Sequence, residues 1–473
     1  MGFFEITHAI AGFLPEIKAP TVPPSAKERL MWTGIALILF FFMYNTICFG
    51  VKHQAGGLDF LQTITASNIG SLLTAGIGPI VFASIFLQLF NGAGIINLDM
   101  KKKEDKQKFL ETQKILAILL AFLEAIVFVV TLKVGILTIS WIPGELLTIL
   151  VIFQIALGSV VIIYLDEIMT KYGIGSGVSL FIAAGVSFAV ISGLMGLVFG
   201  SAGVIDLMAE GGAEALPNAL LALLPFIFTA IVFLVVVYAE GVKVEIPIAF
   251  ERVRGLVPKL PLKYFYVSNI PVIFASALIL NIQLFAGVLE DRHLEIGGVD
   301  IVPMIGYVDQ SGRLSDGLLY FFTPIYTSGG TVAQWEFMTT WDTAYWHIPE
   351  WVHAIVYVIG LSLLSLVFGL FWVETSNMDS KSVANQLMGS GLQIPGFRRD
   401  PRMLEMVLSK HIFPLTVLGS ISVGLLAGVA DLTGALGTGT GILLTVGILH
   451  RMYEQMEQQQ MFEVVPFLKG LAS

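Results

Sequence analysis

The chain has 473 residues, 56% of them hydrophobic and 13% charged, where soluble domains carry about 25% charged residues. So much apolar surface cannot be enclosed in water behind so little charge, which excludes a soluble enzyme, a disordered chain and a nucleic-acid binder and leaves a polytopic membrane protein. The net charge of −9 says little alone, because the placement of the positive charges, not the total, orients a membrane protein.

Residues 1–29 hold Pro15, Pro20, Pro23 and Pro24 ahead of the first long apolar run, a pattern without a cleavable signal peptide. Ile6 stands where an N-myristoylation motif needs Ser or Thr. Phe3, Phe4, Ile6, Ile10, Phe13, Leu14 and Ile17 recur at helical spacing. They predict a short helix, either interfacial or packed on its own protein. A helical span needs about 20 mostly apolar residues. Ten such segments follow, at 30–49, 72–96, 115–132, 146–165, 178–199, 219–239, 264–289, 351–373, 412–430 and 436–453. The second is broken by Gly76, Gly78 and Pro79, and the seventh by Pro271. Cys48 is the single cysteine, so an internal disulfide or a cysteine-ligated cluster is excluded.

With the N-terminus in the cytoplasm, 22 of the 26 Lys and Arg residues fall on that face. Only Lys52, Lys133, Arg292 and Arg313 fall on the other. The positive-inside rule then places both termini in the cytoplasm, and one span more or fewer would spoil the asymmetry. The chain divides into a cytoplasmic segment 1–29, a first half 30–200 with spans 1–5, a second half 201–455 with spans 6–10, and a cytoplasmic tail 456–473. The second half carries cytoplasmic loops at about 240–263 and 374–411 and an external loop at 290–350.

Five spans per half means the halves insert in opposite orientations, the arithmetic of an inverted repeat. Span five opens with Gly173-Ile174-Gly175-Ser176-Gly177, and span ten with Gly437-Thr438-Gly439-Thr440-Gly441. Spans two and seven, also equivalent, both carry a proline, in Ile77-Gly78-Pro79 and Ile270-Pro271. Glycines can simply permit close helix packing. Breaks at matching positions in both halves favour a pathway between them.

The chemistry of that pathway is apolar. Ion-coupled transporters keep ionisable groups at mid-membrane, and here Glu124 is the one clear case, with Asn281 and Gln154 as neutral polar residues. Residues beside the breaks are aliphatic: Ile77, Val81, Val178, Ile182, Ile273 and Leu444. They suit a dry constriction, or ordinary core packing. No HExxH motif occurs, His347 and His353 sit among the belt residues Trp346 and Trp351, and Gly437–Gly441 has no lysine following as a phosphate loop needs. The residues imply no catalytic centre, no metal and no cofactor.

Specific strings narrow the reading: Gln62-Thr63-Ile64-Thr65-Ala66-Ser67, Tyr164-Leu165-Asp166-Glu167, Lys171-Tyr172-Gly173-Ile174-Gly175-Ser176-Gly177, Val244-Glu245-Ile246-Pro247, Tyr266-Val267-Ser268-Asn269-Ile270-Pro271, Phe371-Trp372-Val373-Glu374-Thr375 and Arg451-Met452-Tyr453-Glu454-Gln455. Together they resemble the SecY family, the large subunit of the Sec protein translocation channel, in its archaeal and eukaryotic style. The resemblance implies an all-α clamshell of ten transmembrane helices in two inverted-repeat halves around an hourglass pore. Such a channel is not an enzyme. It passes secretory polypeptides across the membrane and releases transmembrane segments sideways into lipid. The alternative is an inverted-repeat secondary transporter of a small solute.

Carried over position by position, the resemblance makes Ile77, Val81, Val178, Ile182, Ile273 and Leu444 the pore ring. The plug helix falls at about 58–69, with Leu58, Phe60, Leu61, Thr63, Ile64, Thr65 and Ser67. Glu124 and Asn281 match the polar cluster of the lateral gate. Phe82 replaces a small polar residue there, with Gln88 or Ser84 as substitutes. Arg252, Arg254 and Arg398, on two basic cytoplasmic loops, match the ribosome-docking positions. The implied partners are a SecE/gamma subunit, a Sec beta subunit, the ribosome, signal sequences, nascent polypeptides and membrane lipid. The SecA motor is not expected in this branch. The implied location is the plasma membrane.

Overall fold

The architecture was analysed in a computed structural model, which describes residues 7, 11–52, 62, 65–92, 94–96, 98, 100, 102–131, 136–137, 142–200, 203–211, 215–247, 249–250, 259–289, 295–296, 299–300, 302–308, 314–325, 330–343, 346–389, 392–393 and 401–464. Helices stand at all ten expected positions: α1 Ala26–Asn45, α2 Gly78–Gly92, α3 Lys103–Thr131, α4 Gly144–Tyr172, α5 Gly177–Phe199, α6 Leu224–Gly241, α7 Ile270–Leu289, α8 Glu350–Thr375, α9 Pro401–Asp431 and α10 Gly439–Val464. Among the described residues, six of these regions are long and apolar enough to cross a bilayer, at α3, α4, α5, α6, α8 and α9. Gly78–Gly92 and Ile270–Gln283 are shorter apolar stretches.

Local chemistry sets the ends. Ser25 starts α1 with a capping box, its Oγ accepting from Glu28 N at 3.3 Å while Glu28 Oε2 accepts from Ser25 N at 2.9 Å. Span two is shorter than its apolar run. Residues 65–77 form turns instead of helix, with the Ser71 and Thr74 hydroxyls bonding nearby backbone, a local alternative to helical bonding. Pro79 and Pro271 are each the second residue of their helix, where a missing N–H costs nothing. The break expected at Pro271 in span seven is the start of its helix.

The packing repeats between the halves. In the first, α3 packs on both α2 and α4, and α5 packs on α4 and α1; in the second, α8 packs on α7 and α9, and α10 on α9 and α6. These are the same neighbours after exchange of the halves. The main contacts between halves follow the same exchange: α5 meets α10 on one side, while α2 meets α7, α3 meets α7 and α2 meets α8 on the other; α1 also touches α10. A continuous buried cluster joins both halves through α2, α5, α7 and α10.

Three smaller features frame this core. The antiparallel strands β1 Lys243–Pro247 and β2 Lys259–Lys263 form a hairpin between α6 and α7. Ala249–Phe250 pairs with Leu392–Gln393, so the two large basic loops meet. The N-terminal segment packs on its own protein. Thr7 Oγ1 lies 3.2 Å from Thr112 Oγ1, Lys114 donates to Pro15 O at 2.9 Å, and Glu167 accepts from both Lys114 and Lys171 at 2.8 Å.

At the opposite end, Glu350 and His353 of α8 hold the turn at Tyr320–Thr323. Burial, and the Glu350 carboxylate beside it, push the Tyr320 hydroxyl above its usual range, so it stays a donor to Glu350.

Candidate pore constriction and gate

The six aliphatic residues beside the helix breaks all lie in or against the large buried cluster that joins the halves. Ile77, Ile182 and Leu444 are fully buried, and Val81 and Ile273 nearly so, all in one cluster; Val178 packs against its edge. They come from four helices of both halves: the edge and first turn of α2, then α5, α7 and α10. Such side chains offer a passing ion no ligand and make no directional bond.

Two aspartates, missed by the sequence reading, position two of these helices. Asp166, near the end of α4, accepts from Val178 N at 2.8 Å and from Ser176 Oγ at 3.5 Å. Asp431, ending α9, accepts from Thr440 N at 2.8 Å, Thr440 Oγ1 at 2.5 Å and Tyr357 Oη at 2.7 Å. Each satisfies first-turn N–H groups that the glycine-rich openings of α5 and α10 leave free. The available signal was an acidic residue closing a span shortly before such an opening.

Of the plug residues, Leu58, Phe60, Leu61, Thr63 and Ile64 lie outside the described residues. Thr65 and Ser67 are buried and hydrogen-bonded to each other, Oγ1 to Oγ, at 2.6 Å. Ile77 N donates to Thr65 O at 2.8 Å, and Ala66 belongs to the central cluster. The end of this segment is therefore attached to Ile77, at the edge of α2.

Glu124 on α3 and Asn281 on α7 are both buried, on helices that pack together across the two halves. Glu124 Oε2 lies where a Cβ at Gly78 would be only 2.8 Å away, so the carboxylate is turned to the start of α2. Asn281 Nδ2 donates to Ala277 O at 2.9 Å. Glu124 Oε1 and Asn281 Oδ1 have no protein partner.

Phe82 is buried edge-on against Phe86 at 4.4 Å. Gln88 is half-buried on α2. Ser84 accepts from Gln113 of α3 at 2.6 Å, a bond inside the first half rather than across the halves. Arg252, Arg254 and Arg398 lie outside the described residues. His353 is occupied by Glu350 and the Thr323 carbonyl, and no group among the described residues could hold a metal.

Two inverted halves closing on an apolar waist define a membrane channel subunit. Comparison with known proteins makes it particular. The SecY family model matches residues 71–453. The chain is 42% identical to the protein translocase subunit SecY of Methanocaldococcus jannaschii, over 97% of both chains. It superposes with a TM-score of 0.81 on a protein conducting channel at 42% identity, covering 97% of this chain and 98% of that one. It superposes with a TM-score of 0.78 on Sec61 in the canine ribosome-channel complex from the endoplasmic reticulum, again at 42% identity and with the same coverage. The chain belongs to the SecY family. It is a multi-pass membrane protein and a channel subunit, not an enzyme, and nothing favours the small-solute transporter.

Proposed function

We propose that this chain forms the pore through which secretory polypeptides cross the membrane, and that transmembrane segments leave it sideways between α2–α3 and α7–α8. The observation that carries this is the shared burial of Ile77, Val81, Ile182, Ile273 and Leu444, with Val178 beside them, where both halves meet. That ring closes around a chain without binding it. The segment about 58–69 is the plug, tied to the ring through Thr65 and Ile77. The lateral gate is the face where α2 and α3 meet α7 and α8, with Glu124 and Asn281 as its buried polar residues and Gln88 as a further polar residue on α2.

The SecE/gamma and beta subunits complete the channel. Arg252, Arg254 and Arg398 dock the ribosome, on loops whose pairing at Phe250 and Leu392 brings them together. The membrane is the plasma membrane, with both termini cytoplasmic. The test is resting ion conductance of the reconstituted complex. Ile77→Gly with Ile273→Gly removes two sealing side chains and raises it, while unchanged conductance would take these residues out of the seal. Transport of a secretory precursor by the unmutated complex checks the activity itself.

A further inference from the structure

The start of α7 and the middle of α10 are joined at one residue. Asn269 directly precedes α7 and is fully buried. Its carbonyl accepts from Ile273 N at 3.1 Å, so it anchors the turn that carries that ring side chain. Its amide crosses to α10, where Nδ2 donates to Leu443 O at 3.0 Å, next to the ring residue Leu444. One buried residue thus holds two ring helices through backbone bonds. Gly447, one turn further along α10, makes the crossing possible. A Cβ there would run into Asn269 Nδ2 and stand 2.7 Å from Glu240 Oε1.

The approach to Asn269 is fixed as well. Lys263, closing β2, pairs with Glu454 of α10 at 2.6 Å. Tyr264 N donates to Val242 O at 2.9 Å, and its hydroxyl bonds Ser422 Oγ of α9 at 2.7 Å. Tyr266 Oη donates to Met378 O at 2.7 Å. The chain leading into α7 is therefore pinned to α9, to α10 and to the segments that follow α6 and α8.

We propose that Asn269 is a positioning residue of the pore ring. It clamps Ile273 of α7 to Leu444 of α10 in the resting channel, and the ring widens on this side only when the bond to the Leu443 carbonyl is released. This rests on the ring reading given above. It adds a polar latch to an otherwise aliphatic seal. Aliphatic contacts slide readily, whereas a buried hydrogen bond has one preferred geometry.

The experiment measures resting ion conductance of the complex, reconstituted with its partner subunits, for Asn269→Ala, Asn269→Asp, Gly447→Ala and the double change Ile77→Gly with Ile273→Gly. Asn269→Asp keeps the size but has no N–H to donate. Both Asn269 variants are expected to raise the open fraction about fivefold, the scale of one lost hydrogen bond. Gly447→Ala pushes the amide aside and does the same. Asn269→Ala combined with Gly447→Ala leaks no more than Asn269→Ala alone, because the vacated space accepts the methyl group.

A leak in Asn269→Ala without one in Asn269→Asp would mean packing, not the bond, and would overturn the latch. Unchanged conductance in both, with a leaking glycine double variant, would overturn the latch and leave the ring. Unchanged conductance in all three would overturn both. Should Asn269→Ala fail to assemble, Asn269→Asp decides.

Discussion

The joints that lead into α5 and α10 occupy equivalent places in the two halves and use the same device to different depths. At the first, the hydrogen bonds to Asp166 among the described residues come from the start of the helix it caps, from Ser176 and Val178. At the second, Asp431 is bonded from Thr440 of α10 and also from Tyr357 of α8. Its backbone carbonyl further accepts from Gln334 at 2.9 Å, drawing in the segment 330–340 of the outer loop. One joint is a cap and the other is a hub of three helices and a loop. The repeat conserves the solution to a free helix start, while its surroundings decide how much else is tied to it. The difference implies that α10 is held more firmly than α5.

The sharpest way to break this comparison is to remove each carboxylate. Asp431→Ala leaves the Tyr357 hydroxyl, the Thr440 hydroxyl and a first-turn N–H without an acceptor in a buried place. Its cost is about 3 kcal/mol, as for dismantling a buried polar network. Asp166→Ala removes a cap from a half-buried site and costs about 1 kcal/mol. Thermal melting of the reconstituted complex ranks the two. A larger fall in midpoint for Asp166→Ala than for Asp431→Ala would reverse the assignment of cap and hub.

Much of this organisation is legible in the sequence, and the illegible part has a physical pattern. Span positions follow from apolar length, and each of the ten apolar runs holds a helix. The equivalence of Gly173–Gly177 with Gly437–Gly441 is visible because each glycine-rich stretch opens the fifth span of its half. The proposed ring residues are legible from their place beside Gly and Pro. Their partners were not. Asp166 and Asp431 are separated from the N–H groups they serve by a turn whose geometry no periodicity reveals. Asn269 reads as an ordinary polar residue before a helix, since nothing in the sequence says that Leu443 lies 174 positions away but at hydrogen-bond distance. The start of α2 was placed too early because an apolar run does not distinguish helix from a chain of hydroxyl-stabilised turns. The docking arginines and most of the plug stay expectations of the resemblance.

The smallest expected effect separates the hub from a simple cap most directly. Tyr357→Phe deletes only the hydroxyl that reaches Asp431 from α8 and leaves the ring of a fully buried side chain in place. Asp431 keeps its bonds to Thr440, so α10 stays capped, and the loss is about 1 kcal/mol. If the third helix truly shares the carboxylate, Tyr357→Phe costs nothing further once Asp431→Ala is present, because the bond is already gone. Additive losses in that double variant would mean that the Tyr357 hydroxyl stabilises α8 independently of Asp431. The second joint would then be a cap like the first, and the firmer hold on α10 would have to come from Thr440 and Gln334.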